Sequence, residues 1–497
     1  MNKGLLICFL LIGCCVPYLG AQTFSSVLLD AETKQPIPYA AIVYGTEQGV
    51  ITNENGEFNF TIDRNTQQLD SIYISCMGYI KKGYTHAQLK ATEIFLNPGG
   101  FNLEGVELLG RGLTAEQIVQ NMVDSIPVNY QQMPVKKKFF LRQSTFDELD
   151  EANVVLKSST IADINEDTIE KLVNELPKKT EYHTETYGEL YKWNNQVKLK
   201  ILKATEMYDK EKQATYKGLN HSLQKILRKH VKEDSYFKIK TGPISTKFDL
   251  DTIIGRPELV DEINDSITTS IKMNYLASRE NRLAQIERQV FGEKSRLEVI
   301  EKRKNYNFHK KETIEKDGER FYVITFEPQK NAKLKGKMFI NTIDFALVRI
   351  EYENVKPLKG LNLLGIKYEE PRYEGVAEFE KMKNGKYELH FSSLKHNFYI
   401  KVRRPFKIAE KNKNAKGRRK QNEITIDLYL TAKSANTFEW VALETKGSSK
   451  SAFDMVPQRK LVEIIYSTQY DNSYWDGKTI ISPTNVIEDF AILEKSN

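Results

Sequence analysis

The sequence predicts a mainly β protein with helical insertions, in which a small N-terminal β-sandwich precedes a larger antiparallel β domain. Three observations carry this expectation. Stretches of alternating polar and apolar residues recur through residues 23–97, at the roughly 8–12-residue spacing of a sandwich. Alternation returns from residue 305 onward, with Asp317-Gly318 and Asn384-Gly385 placed to close hairpins. Between these regions, two Lys/Glu-rich segments near 199–231 and 263–303 carry helical spacing.

The chain has 497 residues, enough for two or three domains at roughly 100–200 residues each. Its apolar content of 40% supports ordinary folded cores. A net charge of +7 permits contact with anionic surfaces without demanding nucleic acid.

Asn2-Lys3 and the apolar run from Gly4 to Gly13 form a targeting segment too short to span a bilayer, which takes about 20 residues. Leu19 and Ala21 suit signal peptidase, so cleavage is expected after Ala21. Leu11-Ile12-Gly13-Cys14 also fits a lipobox, but the apolar continuation after Cys14 disfavours lipidation there. Cleavage after Ala21 leaves Cys76 alone, so no internal disulfide is expected and Cys76 reads as a small buried apolar residue. The expected address is exported, in the periplasm or at the outer membrane.

Within the first domain, Phe24–Leu29, Tyr39–Tyr44, Glu57–Ile62, Ser71–Ser75 and Glu93–Leu96 read as strands. Asn53-Glu54-Asn55-Gly56 reads as a turn rather than a calcium loop, because further oxygen ligands at loop spacing are missing. The stretches TKQPIPYA (33–40), GVITNENGEF (49–58) and SCMGY (75–79) together resemble the carboxypeptidase regulatory-like domain, a transthyretin-type, Ig-like sandwich common in Bacteroidota envelope proteins. Ser25-Ser26 stands where that pattern has an early glycine. The resemblance implies a fold and a binding or spacer role. It implies no peptidase chemistry.

Thr114, with Gln117 three residues on, predicts a capped helix that buries Ile118, Met122 and Ile126 and ends at Pro127. Lys136-Lys137-Lys138 then step into a strand over Phe139–Phe146, and Lys238–Ile253 looks extended. The order AEQI (115–118), SIPVNY (125–130) and FFLRQS (139–144) is similar to a family of Bacteroidota envelope proteins whose longer members end in an outer-membrane barrel. Here the last residues, Glu494-Lys495-Ser496-Asn497, lack the aromatic strand such a barrel ends on, so none is expected. The stretches GERFYVITFEP (318–328) and GKMFINTIDFALVRIE (336–351) resemble the curved sheet of lipoprotein-carrier-like periplasmic domains. That resemblance implies an open half-barrel holding an acyl chain. Strands over Tyr373–Lys381, Tyr387–Leu394, Asn397–Val402 and Ile424–Thr431 extend the same pattern.

The chain divides into a signal peptide (1–21), the sandwich (22–98), a linker and helix (99–135) and a β-rich domain (136–497) with its two helical insertions. No catalytic, cofactor or metal residue is assigned. His230-x-x-Glu233 has the spacing zinc carboxypeptidases use for two ligands, but nothing ties His309, His390 or His396 to it, and it ends a basic helix. Lys401–Lys420 reads as a solvated basic loop, with contact to anionic head groups as its functional alternative. Asp-Ser/Thr-Ile at Asp70, Asp124, Asp167, Asp251 and Asp265 resembles the O-glycosylation acceptor of Bacteroidota envelope proteins; helix capping, which suits Asp167, is the ordinary alternative. The expectation is a non-enzymatic envelope protein binding an apolar ligand or a partner protein. The possible partners are a lipid, an anionic membrane surface or an outer-membrane protein, and not nucleic acid. A zinc carboxypeptidase-type hydrolase and an accessory subunit of an outer-membrane machine are the alternatives.

Overall fold

The computed structural model describes residues 22–490 apart from 45–47, 63–71, 86–87, 91, 102–111, 131–132, 233–234, 250–265, 293–294, 415–419, 458–461, 463, 476–477 and 479. The 1–21 segment with Cys14, together with Asp70, Glu233, Asp251, Asp265, Arg418 and Arg419, lies outside the described residues. The chain forms two units. One takes the chain through Gly100, Glu315–Gly318 and Asp471–Glu488; the other takes Phe101–Ile314, Glu319–Tyr470 and the remainder.

The smaller unit is a β-sandwich. Its strands are β1 (Gln22–Asp30), β2 (Ala41–Tyr44), β3 (Gln48–Ile51), β4 (Glu57–Ile62), β5 (Ile72–Ser75), β6 (Lys82–Tyr84) and β7 (Glu93–Leu96). One sheet runs β4-β1-β7, and β1 pairs antiparallel with β4 and parallel with β7. Alternation in β1 sends Phe24, Ser26 and Leu28 inward, where Phe24 stacks on Phe60 at 5.3 Å. Between the sheets lie Leu28, Ile42, Phe58, Ile74 and Ile94, each at most 3% exposed, with Cys76 buried beside them. Gly56 adopts φ +73, and a Cβ there would meet the Leu28 carbonyl at 2.5 Å, so the Asn-Gly turn requires its glycine.

The second sheet holds a strand the sequence assigned elsewhere. Its order is β24-β3-β2-β5-β6, and β24 is Ile480–Ile481, paired in parallel with Val50 and Ile51. The fully buried Asn53 amide donates to the Pro483 carbonyl at 2.7 Å, while its Oδ1 accepts from the Asn55 and Glu57 N–H groups. Residues 471–488 therefore leave the 136–497 domain and complete the sandwich. Two-residue strands carry too little periodicity to announce themselves.

The short β8 (Gly100–Phe101) crosses between the units. In the larger unit the strands are β9 (Val135–Ser159), β10 (Lys179–Trp193), β11 (Gln196–Tyr208), β12 (Ser235–Thr241), β13 (Ile244–Asp249), β14 (Tyr306–Lys316), β15 (Glu319–Pro328), β16 (Leu334–Asn341), β17 (Leu347–Asn354), β18 (Gly360–Leu363), β19 (Ile366–Glu369), β20 (Tyr373–Lys381), β21 (Tyr387–Asn412), β22 (Lys420–Gly447) and β23 (Ile465–Ser467). The main strand order is β23-β11-β10-β9-β22-β21-β20-β17-β16-β15-β14, antiparallel except for β23 on β11. Among the described residues no pairing joins β23 to β14, so the sheet is open. Its helices include α1 (Ala115–Asn129), α2 (Glu166–Asn174), α3 (Lys210–His230) and α4 (Ser266–Glu287).

One sheet face carries the core. Phe139 and Leu141 of β9, Phe438 and Trp440 of β22, Leu199 of β11 and Phe326 of β15 belong to one apolar cluster. α1 contributes Ile118 and Met122 to it, and α4 contributes Leu283 and Ile286. Both helices thus lie on that face, each placing an apolar stripe against the strands. β9, β21 and β22 have 25, 26 and 28 residues, which at ~3.3 Å per residue makes strands of ~80–90 Å.

Several expectations need correction. The helix expected from Leu199 begins at Lys210, because Gln196–Tyr208 pairs with β10. Pro127 does not end α1, which continues to Asn129; in a last turn a missing N–H removes one bond, and Tyr130 still donates to the Ile126 carbonyl. Lys136–Lys138 lie within β9 rather than before it. The basic stretch from Lys401 is β21 as far as Asn412, not a loop. Asn165, not Asp167, caps α2, accepting from the Thr168 N–H at 2.9 Å. The hairpins at Asp317-Gly318 (φ +53 and +81) and around Gly385 (φ +80) stand as expected.

Candidate functional site

Along the helix-bearing face, beyond the packed core, the sheet leaves a trough. Paired side chains share a face, so Leu394 with Phe438, His396 with Asn436, and Phe398 with Ser434 line one side of β21 and β22. Tyr373 of β20 pairs with His396 and joins them. A cavity of about 580 Å³ lies between these residues and the end of α4 with the segment that follows it. A second cavity, of about 700 Å³, lies on the opposite face, where Phe146 and Glu148 of β9, Asn397 and Tyr399 of β21 and Lys433 and Ala435 of β22 take the other parity of the register. On the helix-bearing face a smaller recess, of about 210 Å³, shares Phe398 with the first cavity and reaches on to Leu149, Ile400 and Ala432. Each of the two larger volumes falls in the ~300–1,000 Å³ range of small-molecule sites.

The two cavities differ in charge. The second balances four carboxylates against four lysines. The first is lined by Arg282, Arg288, Arg296 and His396, and by no carboxylate among the described residues. Arg282 lies over the Phe438 ring, its guanidinium carbon 3.8 Å from the centroid, and donates to Gln285 Oε1 at 3.0 Å. Burial, and then the neighbouring Arg279 guanidinium, pull Arg282 down to about 10, so it stays charged at neutral pH. Arg296 donates to Glu370 Oε2 at 2.6 Å and to His396 Nε2 at 3.2 Å. Burial first and Arg296 second hold His396 below the ordinary 6.5. Burial pushes Glu370 up, but Arg296, Tyr368 and His396 together hold its carboxyl below the usual range.

A buried ion quartet fixes the end of α4. Lys137 lies 2.7 Å from Glu287 and 2.9 Å from Glu388, and Lys192 lies 3.1 Å from Glu287. Lys192 also pairs with Glu388 at 2.5 Å. Two cations beside the last residue of α4 also complement the negative end of the helix dipole. Burial pushes Glu287 up, yet Lys137 and Lys192 outweigh it and hold the carboxyl below 4.5.

The motifs weighed in the sequence fall elsewhere. His230 ends α3 and shares Asp163 with Lys229, at 2.9 and 2.7 Å. Among the described residues, no three His, Cys, Asp or Glu side chains could hold a metal, and Glu233 lies outside them. His390 pairs with Glu380 at 3.2 Å, and His309 lies in β14. In the basic stretch, Arg403 and Lys407 reach Glu151 and Glu423, while Val402, Phe406 and Ile408 take alternate positions. Ser125, beside Asp124, donates its hydroxyl to the Met122 and Phe345 carbonyls.

Arg282, Arg288, Arg296 and Gln289 were not singled out in the sequence, because their segment reads as an ordinary charged helix. A signal was nevertheless present. Arg279 sits in the stripe Leu276, Arg279, Leu283, Ile286, at i, i+3, i+7 and i+10, and is only 4% exposed. A cation on an apolar stripe marks a helix whose buried face is partly polar.

No described helix is long and apolar enough to cross a membrane. None of the curated proteins matches this chain. Among solved structures, a LolA superfamily protein from Nitrosomonas europaea is similar at 8% identity and a TM-score of 0.17, over 71% of this chain and 99% of that one. An outer membrane lipoprotein-sorting protein domain from Vibrio parahaemolyticus is similar at 7% identity and a TM-score of 0.21, over 70% of this chain and all of that one. The MucA/MucB complex of Pseudomonas aeruginosa gives 6% identity and a TM-score of 0.15, over 64% and 93%. Superpositions this loose carry no argument about shape or ligand. The model of the CarboxypepD_reg-like domain matches residues 25–106, and there the sandwich, its Asn-Gly turn and the family match agree: this chain carries a CarboxypepD_reg-like domain.

Proposed function

We propose that this chain is a non-catalytic cell-envelope protein whose larger unit holds an apolar chain in the trough on the helix-bearing face of its open sheet. The observation that carries the reading is the continuity of the trough. A cavity of about 580 Å³ and a recess of about 210 Å³ share Phe398 on that face, with Tyr373, Leu394 and Phe438 along the one and Leu149, Ile400 and Ala432 along the other. Where an alkyl chain lies against these apolar side chains, burial favours it at ~0.8 kcal/mol per CH₂. The sandwich supports an interaction or spacer role. The envelope address rests on the targeting segment expected over residues 1–21. The non-catalytic reading is supported by His230, whose imidazole is engaged by Asp163.

The test is equilibrium binding of oleyl alcohol, read by displacement of N-phenyl-1-naphthylamine. The chain is expected to bind saturably with one site. Phe398→Asp places a charge where the cavity and the recess meet and should weaken binding by more than ~10-fold. Its melting temperature, measured in parallel, separates loss of the site from loss of the fold. Absence of saturable binding to the native chain would overturn the reading, as would zinc-dependent peptide hydrolysis.

A further inference from the structure

We propose that the arginine-lined end of the trough binds the anionic head group of an amphiphile, with Arg282 and Arg288 as its charge partners and Gln289 as its hydrogen-bond partner. The inference rests on the chain-binding reading above and names the class of ligand: a long apolar chain ending in a carboxylate or phosphate.

Three observations carry it. The first is the charge imbalance. Three arginines and a histidine line the 580 Å³ cavity without a carboxylate among the described lining residues, whereas the cavity on the opposite face is balanced. Of the nearby acids, Glu370 is engaged by Arg296 and Glu287 by the two lysines. Arg282 has a ring and an amide for partners, and Arg288 the Ala284 carbonyl. Neither has a carboxylate partner among the described residues. Guanidinium groups favour bidentate contact with carboxylate and phosphate, and the neutral partners leave that capacity unused.

The second observation is an unfilled polar atom. Gln289 is 7% exposed and lines the cavity; its Nε2 donates to Ser392 Oγ at 2.7 Å, and its Oε1 has no partner. A buried acceptor left bare is costly. Because the Ser392 hydroxyl can donate or accept, the amide can also turn and offer N–H to an anion. The third observation is direction. The cationic cavity shares Phe398 with the recess that holds Leu149, Ile400 and Ala432, so a head group at Arg282 leaves its chain a path away from the arginines, toward a recess whose charged lining, Asp147, Glu148 and Lys433, is of mixed sign.

The experiment compares oleate, oleyl alcohol and oleylamine binding to the full chain. The expected order is oleate, then the alcohol, then the amine, with about a tenfold preference for oleate over the alcohol at low ionic strength. That preference should shrink at about 0.5 M salt. Arg282→Gln with Arg288→Gln should abolish it, so that oleate and oleyl alcohol bind the double variant equally. Oleyl phosphate should match oleate, and inorganic phosphate alone should displace neither. Equal binding of all three probes would overturn the head-group assignment and leave chain binding standing, whereas binding of none would overturn chain binding itself. A preference for oleate that survives the double substitution would place the anion elsewhere, and displacement by inorganic phosphate would make this a free-anion site. The three-probe comparison on the native chain decides the matter even if the double variant folds poorly.

Discussion

At the scale of single residues, the buried ions and amides make the sharpest claims. Lys137 is fully buried between Glu287 and Glu388. Lys137→Met would leave two carboxylates facing Lys192 alone, and should cost about 3–5 kcal/mol by urea denaturation. The quartet also sets a pH window. Glu287 is held below its ordinary 4.5, so its contribution is complete above that value and is lost as pH falls through the lowered one. Lys192 is raised above 10.5, since Glu287 and Glu388 outweigh the effect of burial; its contribution is complete below 10.5 and is lost as pH rises further. The quartet's contribution should therefore be flat between those limits and fall on both sides. Glu287→Gln should reduce the acid-side slope in circular dichroism titrations. Asn53→Ala strips partners from two N–H groups and the Pro483 carbonyl, and should destabilise the sandwich by about 2–3 kcal/mol in thermal or urea unfolding. At this scale the turn at Asn53 was legible, because Asn and Gly signal turns by themselves. The second role of Asn53, tying residues 471–488 to the sandwich, was not, since no local pattern encodes a contact across 430 residues.

At the scale of elements, alternation located most strands of both units, but their lengths escaped it. Lys136–Lys138 read as a charged step, yet Lys137 points into the core because the quartet neutralises it. The run from Lys401 read as a loop, yet its lysines and arginines pair with glutamates of neighbouring strands while Val402 and Ile408 keep the period of two. Tertiary pairing overrode charge density in both cases. The same override turned Leu199 from helix to strand, since β10 offers Leu190 directly opposite. One strand pair leaves no room at all. A Cβ at Gly336 would stand 1.9 Å from the Glu351 carbonyl oxygen and 2.8 Å from the Phe326 ring. Gly336→Ala should therefore force β16 and β17 apart and cost more than about 2 kcal/mol by thermal or urea unfolding. Thr114→Ala, which removes the capping box of α1, should cost only about 1 kcal/mol.

At the scale of the whole molecule, a CarboxypepD_reg-like sandwich accompanies a larger open sheet that carries a trough. The sandwich was legible because its motifs are local and recurrent. The trough was not, because it is assembled from α4, the segment after it, and three strands spread from Tyr373 to Phe438. Its arginines gave one clue, the cation in the apolar stripe of α4, and that clue has meaning only once a sheet lies opposite. The most direct test of the account is photolabelling of the full chain with a diazirine-bearing oleyl alcohol, followed by peptide mapping. The account predicts saturable label on the segments holding Leu394–Ile400 and Ala432–Phe438, competed by unlabelled oleyl alcohol. Label that does not saturate, or that falls on the sandwich and spares those two segments, would contradict it.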